Sequence, residues 1–130
     1  MRSQIAAASA ALIVFAGSAA SAATPSIAGV WHVTGRIDYG ARFFVATPTC
    51  TFRQAAGKLS GECVGPNARG PLMGIIAGDS VSWTWRHIGT TANGITGDTN
   101  FNGTRINNHL IEGRMTAPGI PRDGPFTQSR

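Results

Sequence analysis

Cys50-Thr51-Phe52-Arg53-Gln54-Ala55-Ala56-Gly57-Lys58-Leu59-Ser60-Gly61-Glu62-Cys63 is the stretch that decides the fold. Folded about Ala56-Gly57 as a two-residue hairpin, it pairs Ala55 with Lys58, Arg53 with Ser60, Phe52 with Gly61 and Cys50 with Cys63. These are the only two cysteines in the chain. The count puts them at a non-hydrogen-bonded pair, where facing side chains approach most closely. A disulfide there implies an oxidising compartment. In the chain-entropy account a loop this short contributes about 3 kcal/mol. Alternation puts Cys50, Phe52, Leu59 and Cys63 on one apolar face. Thr51, Arg53, Ser60 and Glu62 take the other, where Arg53 is expected to reach Glu62 diagonally.

The residues before this region read as an export signal. Met1-Arg2 is a short positive start, Ile5 to Ala16 is apolar, and Ala20-Ser21-Ala22 is a small-residue cleavage pattern. The apolar run is shorter than the ~20 residues that a spanning helix needs. The expected organisation is a signal peptide over 1–22 and a single β-barrel domain over 23–130. The expected location is periplasmic or secreted. The mature chain has no expected transmembrane segment.

Outward from the hairpin, 17 glycines and 7 prolines punctuate short runs rich in Val, Ile, Thr, Phe and Trp. That pattern is all-β. Strands are expected over 29–39, 42–54, 58–64, 70–77, 80–88, 97–106, 109–116 and 124–130. Eight strands joined mostly by tight turns fit an antiparallel up-and-down barrel, which closes on itself and removes its edges. In the first strand Trp31, Val33, Ile37 and Tyr39 fall on one face, and His32, Thr34, Arg36 and Asp38 on the other. A hairpin about Gly78-Asp79 pairs Ile76 with Val81, Gly74 with Trp83 and Leu72 with Trp85. The third hairpin pairs Gly103 with Gly113 and Arg105 with Ile111. Its expected loop has three residues, with an asparagine or His109 left-handed. Inward glycines leave room for large neighbours and let strands bend.

The formal net charge is +5, and losing Arg2 with the signal leaves +4. Ten arginines and Lys58 are spread singly. Such a surface suits weak attraction to anionic polymers. It lacks the clustered patch that specific nucleic-acid binding calls for. By alternation Asp38, Glu62 and Glu112 point outward and Asp79 sits in a turn, so no carboxylate pair is placed for acid–base work. The histidines are scattered, and neither a metal-ligand cluster nor a nucleophile for His87 stands out. No cofactor is called for. The chain reads as more plausibly a binder than an enzyme. A small enzyme using His87 and Arg105 is the third reading.

Gly29-Val30-Trp31 enters the first strand, and Phe126 to Arg130 ends the last. This resembles the calycins, in which a Gly-x-Trp opens strand one and an arginine from the barrel's end packs over the tryptophan. The resemblance assigns barrel closing to Trp31 and Arg130, with Arg114 as second choice. Within that group, avidins are similar in carrying later aromatics, here Trp83 and Trp85. Their biotin sites place an asparagine where this chain has Val33, so biotin is not carried over. The small periplasmic inhibitors of bacterial metalloproteases are similar in Ala28-Gly29-Val30-Trp31 followed by a disulfide-linked strand pair. They act through an N-terminal arm, here the short Ala23 to Ile27.

The first functional expectation is a small apolar or aromatic ligand in one barrel mouth. Tyr39, Trp83 and Trp85 would stack on it, and His87 or Arg105 would supply a polar contact. The alternative is an inhibitor or interaction module acting on a secreted or envelope protein such as a metalloprotease. It would use the arm and the loops near 64–70 and 88–97. Whether the interior is filled, by Trp31, Tyr39, Phe44, Phe52, Trp83, Trp85 and Phe101, or holds a cavity is open at this level.

Overall fold

A computed structural model describes residues 24–130. The expected signal segment, 1–22, lies outside the described residues. The chain forms nine strand segments: β1 (Gly29–Tyr39), β2 (Arg42–Ala46), β3 (Thr49–Ala55), β4 (Lys58–Val64), β5 (Ala68–Ala77), β6 (Ser80–Gly89), β7 (Gly97–Asn107), β8 (Leu110–Thr116) and β9 (Asp123–Ser129). Neighbours pair antiparallel from β3 to β9, and β1 closes the ring between β9 and β3. The result is an all-β, closed, eight-stranded antiparallel barrel.

The eighth position is shared. The strand expected over 42–54 is broken at Thr47-Pro48 into β2 and β3. Both pair with β1 in one continuous register, from Tyr39↔Arg42 through Gly35↔Ala46 to Gly29↔Phe52. Pro48 interrupts the ladder because it has no N–H to donate. Its carbonyl still accepts from Val33 N at 3.0 Å, which keeps the two halves in step.

The disulfide hairpin pairs as counted, Ala55↔Lys58 through Cys50↔Cys63. The two Cα atoms lie 4.0 Å apart, the cysteines are bonded, and both are fully buried. The turn itself is unusual in that Ala56, not Gly57, takes the left-handed backbone, with φ 56°. Gly57 meets a different need. A Cβ there would lie 2.9 Å from the Ile76 carbonyl, on the strand whose N–H donates to Gly57 O at 2.9 Å.

The Gly78-Asp79 hairpin also has the expected pairs, Ile76↔Val81, Gly74↔Trp83 and Leu72↔Trp85. The third keeps Gly103↔Gly113 and Arg105↔Ile111, but its end corrects the expectation. The register shifts between Arg105 and Asn107, so the extra residue is taken up as a bulge at Ile106 before a two-residue turn, Asn108-His109. Neither residue needs a left-handed backbone; among the described residues Ala56 is the only non-glycine with positive φ. The expected Arg53–Glu62 contact does not form either. Glu62 pairs with Arg69 of the next strand at 3.5 Å.

Alternating burial runs through every strand, and the inward set makes one core. Trp83 stacks on Phe101 with centroids 4.0 Å apart, and meets Phe52 edge-on at 5.0 Å. Phe101 meets Phe126 edge-on at 5.0 Å. Such pairs add about 0.5–1.5 kcal/mol each beyond burial. Inward glycines make the room: a Cβ on Gly74 would lie 2.5 Å from that of Trp83, and one on Gly35 would collide with Met115. The middle of the barrel is therefore filled by side chains.

Candidate functional site

The strand directions sort the connections onto two ends. One end carries the chain entry at residues 24–28, the two-residue turns 56–57, 78–79 and 108–109, and Arg130. The other carries the β1–β2 hairpin tip and the longer connections 65–67, 90–96 and 117–122.

The first end is sealed. Ile27 is fully buried and its carbonyl accepts from Trp31 Nε1 at 2.9 Å. Gln54 accepts from Ile27 N at 2.8 Å and donates to the carbonyls of Pro25 and Ala56, each at 2.9 Å. The Arg130 guanidinium lies over the Trp31 ring, 4.3 Å from its centroid. It donates to the carbonyls of Asn108 and Ala28, each at 2.7 Å. Arg114, the second choice for that contact, instead pairs with Asp123 on the outer wall at 2.8 Å.

The second end holds a cleft of about 200 Å³. One wall is β2 and the residue after it, Phe43 to Thr47. The opposite wall is Gly65 to Ala68 together with Asn93, Gly94 and Ile95. Tyr39, Trp85 and His87 line it between the walls. A volume near 200 Å³ falls below the ~300 Å³ at which drug-sized sites begin. It exceeds the ~150 Å³ that is enough for a benzene ring. A second depression near Arg114, Arg122 and Asp123 is larger, about 650 Å³, but it is a broad opening to solvent walled by charged groups.

His87 anchors the cleft. Its ring is buried, 4.5 Å centroid to centroid from Trp85. Nδ1 bonds the Ile95 carbonyl, so Nδ1 carries the proton; in the neutral ring Nε2 then accepts from Thr99 Oγ1 at 2.8 Å. This holds the 90–96 loop against the wall. Asn67 holds the same loop from the other side, accepting from Thr90 N and Thr91 Oγ1, each at 2.8 Å. Trp85 Nε1 is buried and has no acceptor among the described residues.

Of the five residues expected to bind a ligand, the structure brings together Tyr39, Trp85 and His87. Trp83 lies deeper, in the aromatic core, with Nε1 donating to the buried Gln128 Oε1 at 3.2 Å. Arg105 stands at the sealed end, held by Asp79 at 2.9 Å and Asn108 at 2.7 Å. His87 and Arg105 thus have no shared chemistry across the filled core. Thr99 and Gln128 were not singled out by the sequence, although their phase with Phe101 and Phe126 marks them as inward. Asn67 and Ile95 lie on irregular loops, where periodicity carries no signal.

The six side-chain carboxylates are all exposed; four form ion pairs on the outer wall and Asp79 forms one at the sealed end. Among the described residues no three His, Cys, Asp or Glu side chains come together as metal ligands. The Arg114 guanidinium, through its hydrogen bond and its charge, holds the Asp123 carboxyl below its ordinary range. No helix among the described residues is long and apolar enough to cross a membrane. Comparison with protein-family models and with curated proteins gives no match to this chain.

Proposed function

We propose that this chain is an exported, non-enzymatic binding protein whose open-end cleft receives one small apolar or aromatic group. The observation that carries the reading is the cleft itself: about 200 Å³, lined by Tyr39, Phe44, Trp85 and Ile95, in a barrel otherwise filled. Aromatic walls favour a ring or a branched aliphatic group. The disulfide fits export to an oxidising compartment.

The reading as an interaction module keeps its loops but loses its arm as a free element. Pro25 to Ala28 are bound to the chain's own barrel by Gln54, Trp31 and Arg130. Partners of that kind are left the open end.

Titration of isotope-labelled protein with p-cresol tests the proposal. Amide shifts are expected at Asn67, Gly94 and Ile95, with a Kd of about 0.1–1 mM for a probe this small. The variant Tyr39→Ala, at the cleft's rim, should weaken binding about tenfold. Shifts scattered over the barrel, or none at the loops, would remove the cleft as a site.

A further inference from the structure

The cleft lies along an unpaired strand edge. Among the described residues every other strand is paired on both sides; β2 has β1 alone. Register shows which of its groups are free. Tyr39↔Arg42 closes a two-residue hairpin and is hydrogen-bonded, so Ile37↔Phe44 and Gly35↔Ala46 are too. The bond from Val33 N to Pro48 O continues the same phase independently. The N–H and C=O groups of Phe43, Val45 and Thr47 therefore point away from β1. Among the described residues no backbone or side-chain hydrogen bond takes them up, and all three residues line the cleft.

Resting on the reading of the cleft as a binding site, we infer that its occupant is an extended peptide segment of a partner protein. The segment adds to the free edge of β2 and places one bulky apolar side chain in the cleft. A row of main-chain donors and acceptors is matched by another main chain, whereas a lone ring leaves it unpaired. The volume suits one side chain, not a drug-sized ligand.

The side-chain geometry agrees. In the new pairing, positions opposite Phe44 or Ala46 share the inward face, so a residue there points into the cleft. Its two flanking residues hydrogen-bond with Phe43 and Val45, or with Val45 and Thr47. The edge also lacks the usual guards against pairing. Residues 42–46 contain neither lysine nor proline, and Phe43 and Val45 are 57% and 46% exposed.

Charge gives the segment a preference. Arg42, exposed at one end of β2, has no carboxylate within salt-bridge distance among the described residues. Arg36, already paired with Asp38 at 2.9 Å, lies over Phe43, 4.2 Å from its centroid, so Arg42 is the unpaired charge of this edge among the described residues, and no acid lines the cleft. Acidic residues beside the anchoring side chain fit this surface. A second copy fits less well, because its β2 is tied to its own β1 and must bring that strand against the opposite wall, Gly65 to Ala68.

The probe is a blocked pentapeptide with a central phenylalanine, flanking threonines and terminal glutamates. It should bind saturably, and hydrogen exchange at the Phe43, Val45 and Thr47 amides should slow at least about tenfold. N-methylating both threonine amides should weaken binding at least about tenfold, and N-methylating the phenylalanine amide, which faces away from β2, should cost less. Val45→Pro removes an outward N–H while sparing the β1 ladder, so it should lose the peptide and keep its melting temperature. If that variant misfolds, the methylated peptides decide. If p-cresol binds but the peptide neither protects the edge nor responds to threonine methylation, pairing is wrong and the cleft reading stands. If neither binds, both fall. A dimer in sedimentation that Val45→Pro dissolves would give the edge to a second copy and overturn the proposal.

Discussion

The two ends of this barrel are built from the same strands and differ in their connections. At one end every turn between strands has two residues, and such turns leave no chain with which to shape a site. That end is instead plugged by Ile27, Trp31 and Gln54, with Arg130 laid across. At the other end the connections are longer and the β1–β2 hairpin runs past the last residue of β4. There β2 has no second neighbour, and the gap beside it is the cleft. Buried side chains and hydrogen bonds close the end where the loops are short, and a cleft and an unpaired strand edge remain at the end where they are long.

The contrast can be broken most directly with two large-to-small changes. Trp31→Ala should lower unfolding free energy by about 3–5 kcal/mol, because it empties a fully buried site and strips Ile27 and Arg130 of their partner. Tyr39→Ala, at the half-buried rim of the cleft, should cost under about 1.5 kcal/mol. Comparable losses in urea unfolding would show that the two ends are held equally.

A smaller change sharpens the account of the seal. Arg130→Ala removes a stacked cation and the bonds to Asn108 and Ala28, yet Arg130 is solvent-exposed. A loss of about 1 kcal/mol is expected. Hydrogen exchange should quicken at Trp31 Nε1 and Ile27 N, while Ile95 stays as it was. Faster exchange at the open end would mean that the two ends are coupled through the core.

The smallest effect is electrostatic and belongs to the open end. The carboxyl of Asp123 is held low by Arg114, first through the hydrogen bond and then through its charge. Its stabilisation is present above the unfolded carboxyl pKa, near ~3.9, and is lost as pH falls below that toward the folded value. Asp123→Asn should lower the neutral-pH melting temperature slightly and flatten its fall on acidification through that range by a matching amount. An acid limb identical to the parent's would mean that other carboxylates dominate it.

The disulfide hairpin and the Gly78-Asp79 hairpin were legible residue by residue, because a two-residue turn fixes register and alternation fixes face. The third hairpin shows the limit. Its inner pairs were readable from facing glycines, but a bulge at Ile106 and a left-handed loop residue satisfy the same count, and only backbone geometry separates them. Arg53 shows another limit: Glu62 has a neighbour on each side, and sequence distance favoured the wrong one. The candidate site was half legible. Trp83, Trp85 and His87 share a face, and alternation treats them alike, yet Trp83 is core and the other two are cleft wall.

The sequence by itself determined the strands other than the break at Thr47-Pro48, which face of each turns inward, and the Cys50–Cys63 staple. These follow from turn chemistry and a period of two, both local. Only the tertiary structure decided depth along the barrel axis, the end at which each inward residue lies, and the edge that β2 is left with. Those depend on how strands are staggered as the sheet closes. Closure pairs β1 with β3 on one side and with β9 on the other, from His32↔Thr49 to His32↔Ser129, and no single segment contains both contacts.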